Sequence, residues 1–292
     1  MKKKQMETMN KTFEILKVGG CVRDMLLNRP IHDYDYVVVG ATISDMESLG
    51  YKQVGNDFPV FLDQNGNEIA LARKEIKTGD KHTDFEFDFS PNTSLEEDLI
   101  RRDFTINALC EDKDGNIIDY CNGQEDLNNK VLRHISKHFC EDPLRLLRLC
   151  RFISQLPEFT VAPETLELCK QMVKNGMLKH LTEERIWKEI EKALHTPTFY
   201  KFIETLDEIG GLPDIFPEVE SLKQIPEKLE YHPEGNTYKH LLLTLKHVTY
   251  TYNQDGERTL GIYDEKELAL LNFALLCHDL GKIKTQETWP SH

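Results

Sequence analysis

From Phe13 to about Cys121, short apolar runs alternate with stretches of helical character. The runs FEILKV, YDYVVVG, FPVFLD and NIIDY are rich in branched and aromatic residues and bounded by Gly, Asn or Asp, which predicts strands. This half therefore reads as α/β. From about Glu141 the period changes: Leu144, Leu147 and Phe152, then Leu166, Cys169 and Met172, recur at helical spacing with few strand candidates between them. The remainder reads as all-helical. Pro213, Pro217, Pro226 and Pro233 follow Gly210-Gly211 and mark a linker or a cluster of tight turns before a last helical region that starts near Thr237. No internal repeat or low-complexity tract interrupts the pattern.

A chain of 292 residues exceeds the usual size of one domain, so two or three are expected. No segment approaches the ~20 consecutive apolar residues that span a bilayer. The basic start, Met1 to Lys11, is not followed by the apolar run and cleavage site of a secretion signal, so the expected location is cytoplasmic. Seven cysteines (Cys21, Cys110, Cys121, Cys140, Cys150, Cys169 and Cys277) are scattered and never spaced as C-x-x-C. That argues against a disulfide framework and a zinc ribbon, and predicts reduced core thiols. A net charge of −14 counts against a large non-specific nucleic-acid surface, which would be built from Lys and Arg. Between Val131 and Phe152, however, Arg133, Lys137, Arg145, Arg148 and Arg151 face only Glu141 and Asp142, so a local basic track runs against the global balance.

Two motifs near the start carry candidate chemistry. Gly19-Gly20-Cys21-Val22-Arg23-Asp24 follows the strand-like FEILKV and leads into the helix-compatible DMLLN. Two glycines let backbone N–H groups approach an anion, and an arginine can fork onto a phosphate. His32-Asp33-Tyr34-Asp35 then precedes the apolar run Tyr36-Val37-Val38-Val39. In a strand, residues i and i+2 share a face, so Asp33 and Asp35 would stand side by side and repel unless a cation lies between them. Hard oxygen ligands suit Mg²⁺, and two such ions can activate a hydroxyl and stabilise a leaving pyrophosphate. Taken singly, each motif also reads as structure: a Gly-Gly turn with a surface arginine, and a polar loop capping a buried strand. Their occurrence within one strand–turn–helix–strand unit favours function.

Two further motifs are arginine-rich. In EDLIRRDFTINA, residues 97–108, helical spacing puts Leu99, Arg102 and Ile106 on one face, with Arg102 able to reach a phosphate; a solvated charge run is the alternative. In EDPLRLLRLCRF, residues 141–152, Pro143 behind two acids is a helix start. Arg145, Arg148 and Arg151 then recur every third residue, while Leu144, Leu147 and Cys150 are positioned for burial. Three arginines in nearly two turns repel without an anionic partner, and a nucleotide is a natural one.

GGCVRD, DYDYVVVG, RRDFTINA and EDPLRLLRLCRF stand in the order and spacing of the class II CCA-adding tRNA nucleotidyltransferases, and the chain resembles that family along essentially its whole length. NDFPVFL, ALAR, NIIDYCNG and LRHIS extend the likeness, which is strongest to the bacterial multifunctional form with a C-terminal HD domain. The resemblance implies a polymerase-β-like nucleotidyltransferase head over residues 1–139, an all-α neck and body over 140–225, and a partial helical HD domain over 226–292. It implies template-independent addition of CCA to the tRNA 3′ end from CTP and ATP. Carried onto this sequence, Asp33 and Asp35 would hold Mg²⁺ and be catalytic, and Gly20 and Arg23 would contact the nucleotide. Arg102, Arg148 and Arg151 would hold triphosphate or ribose, and Asp103 and Asn107 would lie toward the sugar. Asp142 and Arg145 would present an acceptor and a donor fork to the base, a pairing their chemistry permits.

His240 on a helix-compatible stretch and His278-Asp279 in LLCHDLGK resemble the HD phosphohydrolase signature. That family uses a further distal ligand, and the sequence runs only to His292, so a partial HD domain is expected. His240, His278 and Asp279 would be the ligands of a second divalent metal there. Two rival readings share these motifs. A bacterial poly(A) polymerase would add adenylate alone to general RNA, a reading weakened by the acidic sequence pI of about 5.3 and the HD residues. A non-catalytic RNA-binding or HD regulatory relative is weakened by the intact Arg23, Asp33, Asp35 and arginine helix.

Overall fold

The computed structural model describes residues 13–54, 59–63, 66–77, 85–248, 250–252, 258–260 and 263–285. The basic start and Phe58 of the predicted FPVFLD strand lie outside them. The chain divides into two units, Met1–Glu141 and Asp142–His292.

The first unit is built on a seven-stranded mixed sheet. Its elements are β1 (Glu14–Val18), α1 (Gly20–Leu26), β2 (Asp35–Val39), α2 (Ile43–Ser48), β3 (Lys52–Val54), β4 (Val60–Leu62), β5 (Glu68–Leu71), a separate hairpin of β6 (Lys74–Lys77) and β7 (Phe85–Asp88), α3 (Leu95–Ile100), β8 (Leu109–Glu111), β9 (Ile117–Asp119) and α4 (Gly123–Asn129). The strand order is β3-β4-β5-β2-β1-β8-β9. β2 is central, antiparallel to β1 with Val37 opposite Leu16, and parallel to β5 with Val37 opposite Ala70.

Both faces of this sheet are covered, which explains the unbroken valine run of β2. Val37 packs with Leu16, Val18 and the α3 residues Leu95 and Leu99. Val38, pointing the other way, packs with Met46 of α2, Phe61, Ile69 and Leu71. A strand buried on both sides has no polar face to alternate. The flanking helices begin where the chain supplies caps: Thr42 with Asp45, and Ser94 with Glu97, each form a reciprocal capping box.

The second unit is mainly helical, comprising α5 (Leu144–Gln155), α6 (Pro163–Lys174), α7 (Glu183–Leu194), α8 (Tyr200–Glu208), α9 (Leu212–Ile215), α10 (Pro217–Ser221), α11 (Thr237–His247), α12 (Glu265–Cys277) and α13 (Lys282–Thr285). The predicted proline-rich break holds the two short helices α9 and α10, with Pro213 and Pro217 in their first turns, and the last helical region opens at Thr237 as the pattern predicts. A hairpin of Tyr250–Tyr252 and Arg258–Leu260 is an addition that the helical periodicity did not foresee.

Helix α5 packs against both α7 and α8. Leu147 and Cys150 are buried as expected, but so are Leu146 and Leu149, and Leu144 is only half-buried. A helix held between two others buries more than one stripe. Asn272 of α12, fully buried, ties that helix to the end of α7 by donating to the carbonyls of Leu194 at 2.7 Å and Thr196 at 3.0 Å. All seven cysteines are free; Cys277 is exposed, so it is not a core thiol.

Candidate active site

The glycine turn follows directly from the end of β1. Gly19 has φ 81° and ψ −128°, a conformation suited to glycine alone. Its N–H donates to the Leu109 carbonyl at 3.0 Å, and an added Cβ would meet Arg102 Nη1 at 3.3 Å. Gly20 opens α1. Cys21, one residue on, is buried, with its Sγ 3.4 Å from the Val18 carbonyl and 3.8 Å from that of Asp35. The turn and the start of β2 are thus brought together by the antiparallel pairing of β1 and β2.

Asp35 is the first residue of β2 and is exposed; Asp33, also exposed, precedes the strand by two residues. The expectation that both carboxylates sit within one strand is corrected: ladder pairing of β2 with β1 and β5 begins at or after Asp35. The register instead adds a carboxylate absent from the sequence reading. Glu68, the exposed first residue of β5, is the parallel partner of Asp35. Residues opposite one another in neighbouring strands project from the same face. Nothing in the sequence marked Glu68, because its significance depends on which strand β5 pairs with.

A polar network adjoins the glycine turn. Arg23 is buried; its Nε and Nη2 donate to the two Asp24 carboxylate oxygens at 2.9 and 2.8 Å, and its Nη1 donates to Asn107 Oδ1 at 2.7 Å. Asn107 in turn donates to Asp103 Oδ1 at 3.1 Å, and both are buried. Arg102 donates through Nε and Nη2 to Asp98 Oδ2 at 3.3 and 3.2 Å, which leaves Nη1 beside Gly19. The predicted single helical face of Leu99, Arg102 and Ile106 is not formed. Helix α3 ends at Ile100, and Ile106 belongs to a 3₁₀ turn, because Thr105 N–H donates to the Arg133 carbonyl and Ile135 N–H to that of Asp103. Long-range backbone bonds outweigh local helix preference here. At Gly123 the fit is closer still: a Cβ there would stand 2.3 Å from the Thr105 carbonyl oxygen.

In the second unit, Asp142 accepts from Leu144 N–H at the start of α5 at 3.0 Å and takes Arg185 Nη2 of α7 on both oxygens, at 3.0 and 2.9 Å. Arg145 is half-buried in the first turn of α5. Arg151 is buried against Glu189 of α7, donates to Gln155 Oε1 at 2.6 Å, and lies 4.2 Å from the Phe152 ring centre. Arg148 approaches Glu189 at 4.0 Å. The anion that the spaced arginines require is therefore supplied in part by the chain itself, from a helix about 40 residues away in sequence.

A second cluster of ligand-type side chains gathers around α11 and the end of α12. The ligand atoms of His240, His278 and Asp279 lie within 4.8 Å of one another, as do those of His232, Glu234 and His240. His278 Nε2 is 3.2 Å from Asp279 Oδ2. Lys282 Nζ bridges Asp279 Oδ2 at 2.9 Å and buried Glu227 Oε1 at 2.8 Å. His232, Glu234 and Lys282 were not singled out in the sequence.

Residues 15–133 match the model of the poly A polymerase head domain, and residues 158–223 that of the probable RNA and SrmB-binding site of polymerase A. The multifunctional CCA protein of Pasteurella multocida is 48% identical over 285 residues, or 96% of this chain and 66% of that protein. A solved tRNA-processing enzyme with CTP is 30% identical, with a TM-score of 0.58 over 84% of this chain and 68% of that one. The chain belongs to the CCA-adding enzyme family. The Bacillus stearothermophilus CCA-adding enzyme in complex with CTP is 32% identical, with a TM-score of 0.60 over 76% of this chain and 54% of that one. The chain thus spans just under two thirds of the length of the curated relative. Its fold is that family's nucleotidyltransferase head followed by helical elements. None of the described helices is long and apolar enough to cross a membrane.

Proposed function

We propose that this protein adds and repairs the 3′-terminal CCA of tRNA in the cytoplasm, using CTP and ATP without a nucleic-acid template. The observation that carries the reading is the juxtaposition, through strand pairing, of the Gly19-Gly20 turn with Asp35 and its register partner Glu68. The names of the relatives, CCA proteins and an enzyme solved with CTP, support the nucleotide and the product.

In this reading Asp33, Asp35 and Glu68 hold Mg²⁺. Exposed carboxylate oxygens at one sheet end are the donor set this hard cation takes. When bound, the metal supplies a more acidic 3′-hydroxyl on the tRNA and charge stabilisation for the departing pyrophosphate. The chain's own part is positioning. Gly20 lets the backbone approach the triphosphate; Arg23, braced by Asp24 and Asn107, shapes that turn. Arg102 directs its guanidinium at the phosphates, and Arg148 and Arg151, with Glu189 setting their position, serve the triphosphate or ribose side. Asp142 accepts and Arg145 donates on the Watson–Crick edge of the base, so base choice comes from protein hydrogen bonds.

Residues 140–225 form the neck and body in this proposal, and 226–292 a partial HD domain. There His240, His278 and Asp279 hold a divalent ion. Imidazole donors suit Zn²⁺, Ni²⁺ or Co²⁺ better than Mg²⁺.

The test is incorporation of labelled CTP, ATP, GTP and UTP, with Mg²⁺, into tRNA transcripts lacking the tail, ending in CC, or carrying the full tail. Ordered addition of C, C and A that then stops is expected. ATP-only extension of any RNA would establish a poly(A) polymerase instead, and no incorporation would leave a binding protein.

A further inference from the structure

The histidine cluster of the second unit shows how its rings are aimed. Glu234 Oε1 lies 2.6 Å from His240 Nδ1 and 3.1 Å from His232 Nδ1. An ionised carboxylate accepts hydrogen bonds and cannot donate them, so each facing Nδ1 carries the hydrogen. On His278 the same result is reached differently. Its Nδ1 lies 2.6 Å from the Leu275 carbonyl, which also only accepts. In the neutral form of both rings the unshared pair is therefore on Nε2, and for His278 that atom faces Asp279.

We infer that Glu234 is a positioning residue for a metal centre at His240, His278 and Asp279, fixing His240 as its Nε2-ligating tautomer, with His232 held on the same carboxylate as its brace. The inference rests on the proposed assignment of those three residues as ligands. Glu234 meets His240 at Nδ1, so it acts through the ring and is not itself a ligand. The His232 ring packs edge-on against His240, with centres 4.6 Å apart at 82°, and restricts the ring's rotation. Lys282 bridges Asp279 and Glu227 through its Nζ. A carboxylate on the distal nitrogen orients a ligating imidazole and raises its basicity, and loss of such a partner costs metal affinity about 10–100-fold.

The experiment is competition titration of the chelator-stripped full chain with Co²⁺ and Zn²⁺, reading affinity and the visible Co²⁺ spectrum, with apo-protein thermal unfolding as the folding control. His240→Ala should abolish binding. Glu234→Ala should weaken it about 10–100-fold with the Co²⁺ band shape and the apo unfolding midpoint unchanged. Glu234→Gln, which can still accept from Nδ1, should recover part of the loss. Wild-type affinity in Glu234→Ala would overturn the inference, as would an altered Co²⁺ spectrum or complete loss of binding, either of which would make Glu234 a ligand. Failure of the wild-type chain to bind either ion would instead overturn the metal assignment on which the inference rests.

Discussion

The two candidate metal centres of this chain are built from opposite materials. In the first unit Asp33, Asp35 and Glu68 are exposed carboxylates at one end of a sheet, and strand register brings two of them together. In the second unit three imidazoles cluster with two carboxylates around α11 and the end of α12, His278 exposed and the others half-buried, with Lys282 already seated on Asp279. The oxygen site would depend on a cation from solution to relieve its charge. The imidazole site carries its own compensation and a hydrogen-bonded scaffold that aims each ring. A hard, water-keeping ion that bridges to phosphates matches the first, and a borderline ion held by nitrogen matches the second.

The sharpest way to break this contrast is Asp35→Ala. It should lower incorporation of both CTP and ATP by about a thousandfold or more, the several kcal/mol that a catalytic metal supplies, while leaving Co²⁺ affinity of the histidine cluster intact. Parallel loss of both would mean that the two centres are not independent. His240→Ala should do the converse, and steady-state incorporation assays with metal titrations check both.

Next in size is Arg102→Ala. Removing a charged donor that lies beside Gly19 should raise KM for both nucleotides about 10–100-fold, in line with the ~1.5–3 kcal/mol of a hydrogen bond to a charged group. Unchanged KM would remove Arg102 from the phosphate side. Asp142→Ala should act on choice and leave rate largely intact, narrowing CTP and ATP preference over GTP and UTP by about tenfold, the lower end of the ~1.5–3 kcal/mol of a hydrogen bond to a charged group; competition between labelled nucleotides measures it. The smallest effect is chemical. Burial pushes the Cys110 thiol of the first unit up to about 12, whereas Cys277 is exposed. A thiol reagent at neutral pH should modify Cys277 in the folded chain and reach Cys110 only on unfolding, as peptide mapping would report.

The sequence by itself determined much of this protein. Its change of period near Glu141 separates the sheet-based unit from the helical one, because strand and helix repeat their apolar positions differently. The four predicted strands, the proline break and the start near Thr237 all follow from local chemistry. So do the glycine turn and the first of the clustered carboxylates, since these motifs are contiguous in the chain. Tertiary structure decided the rest. Glu68 joins Asp35 only through parallel register, α3 stops short of Arg102 because residues 103–107 bond to the 133–135 segment, and Arg151 turns to Glu189 on another helix. His232 and Glu234 acquire a role only once α11 and the end of α12 meet. Periodicity and spacing report which face a residue occupies. They carry no information about which distant residue will stand opposite, and pairing between distant residues is what arranges both centres.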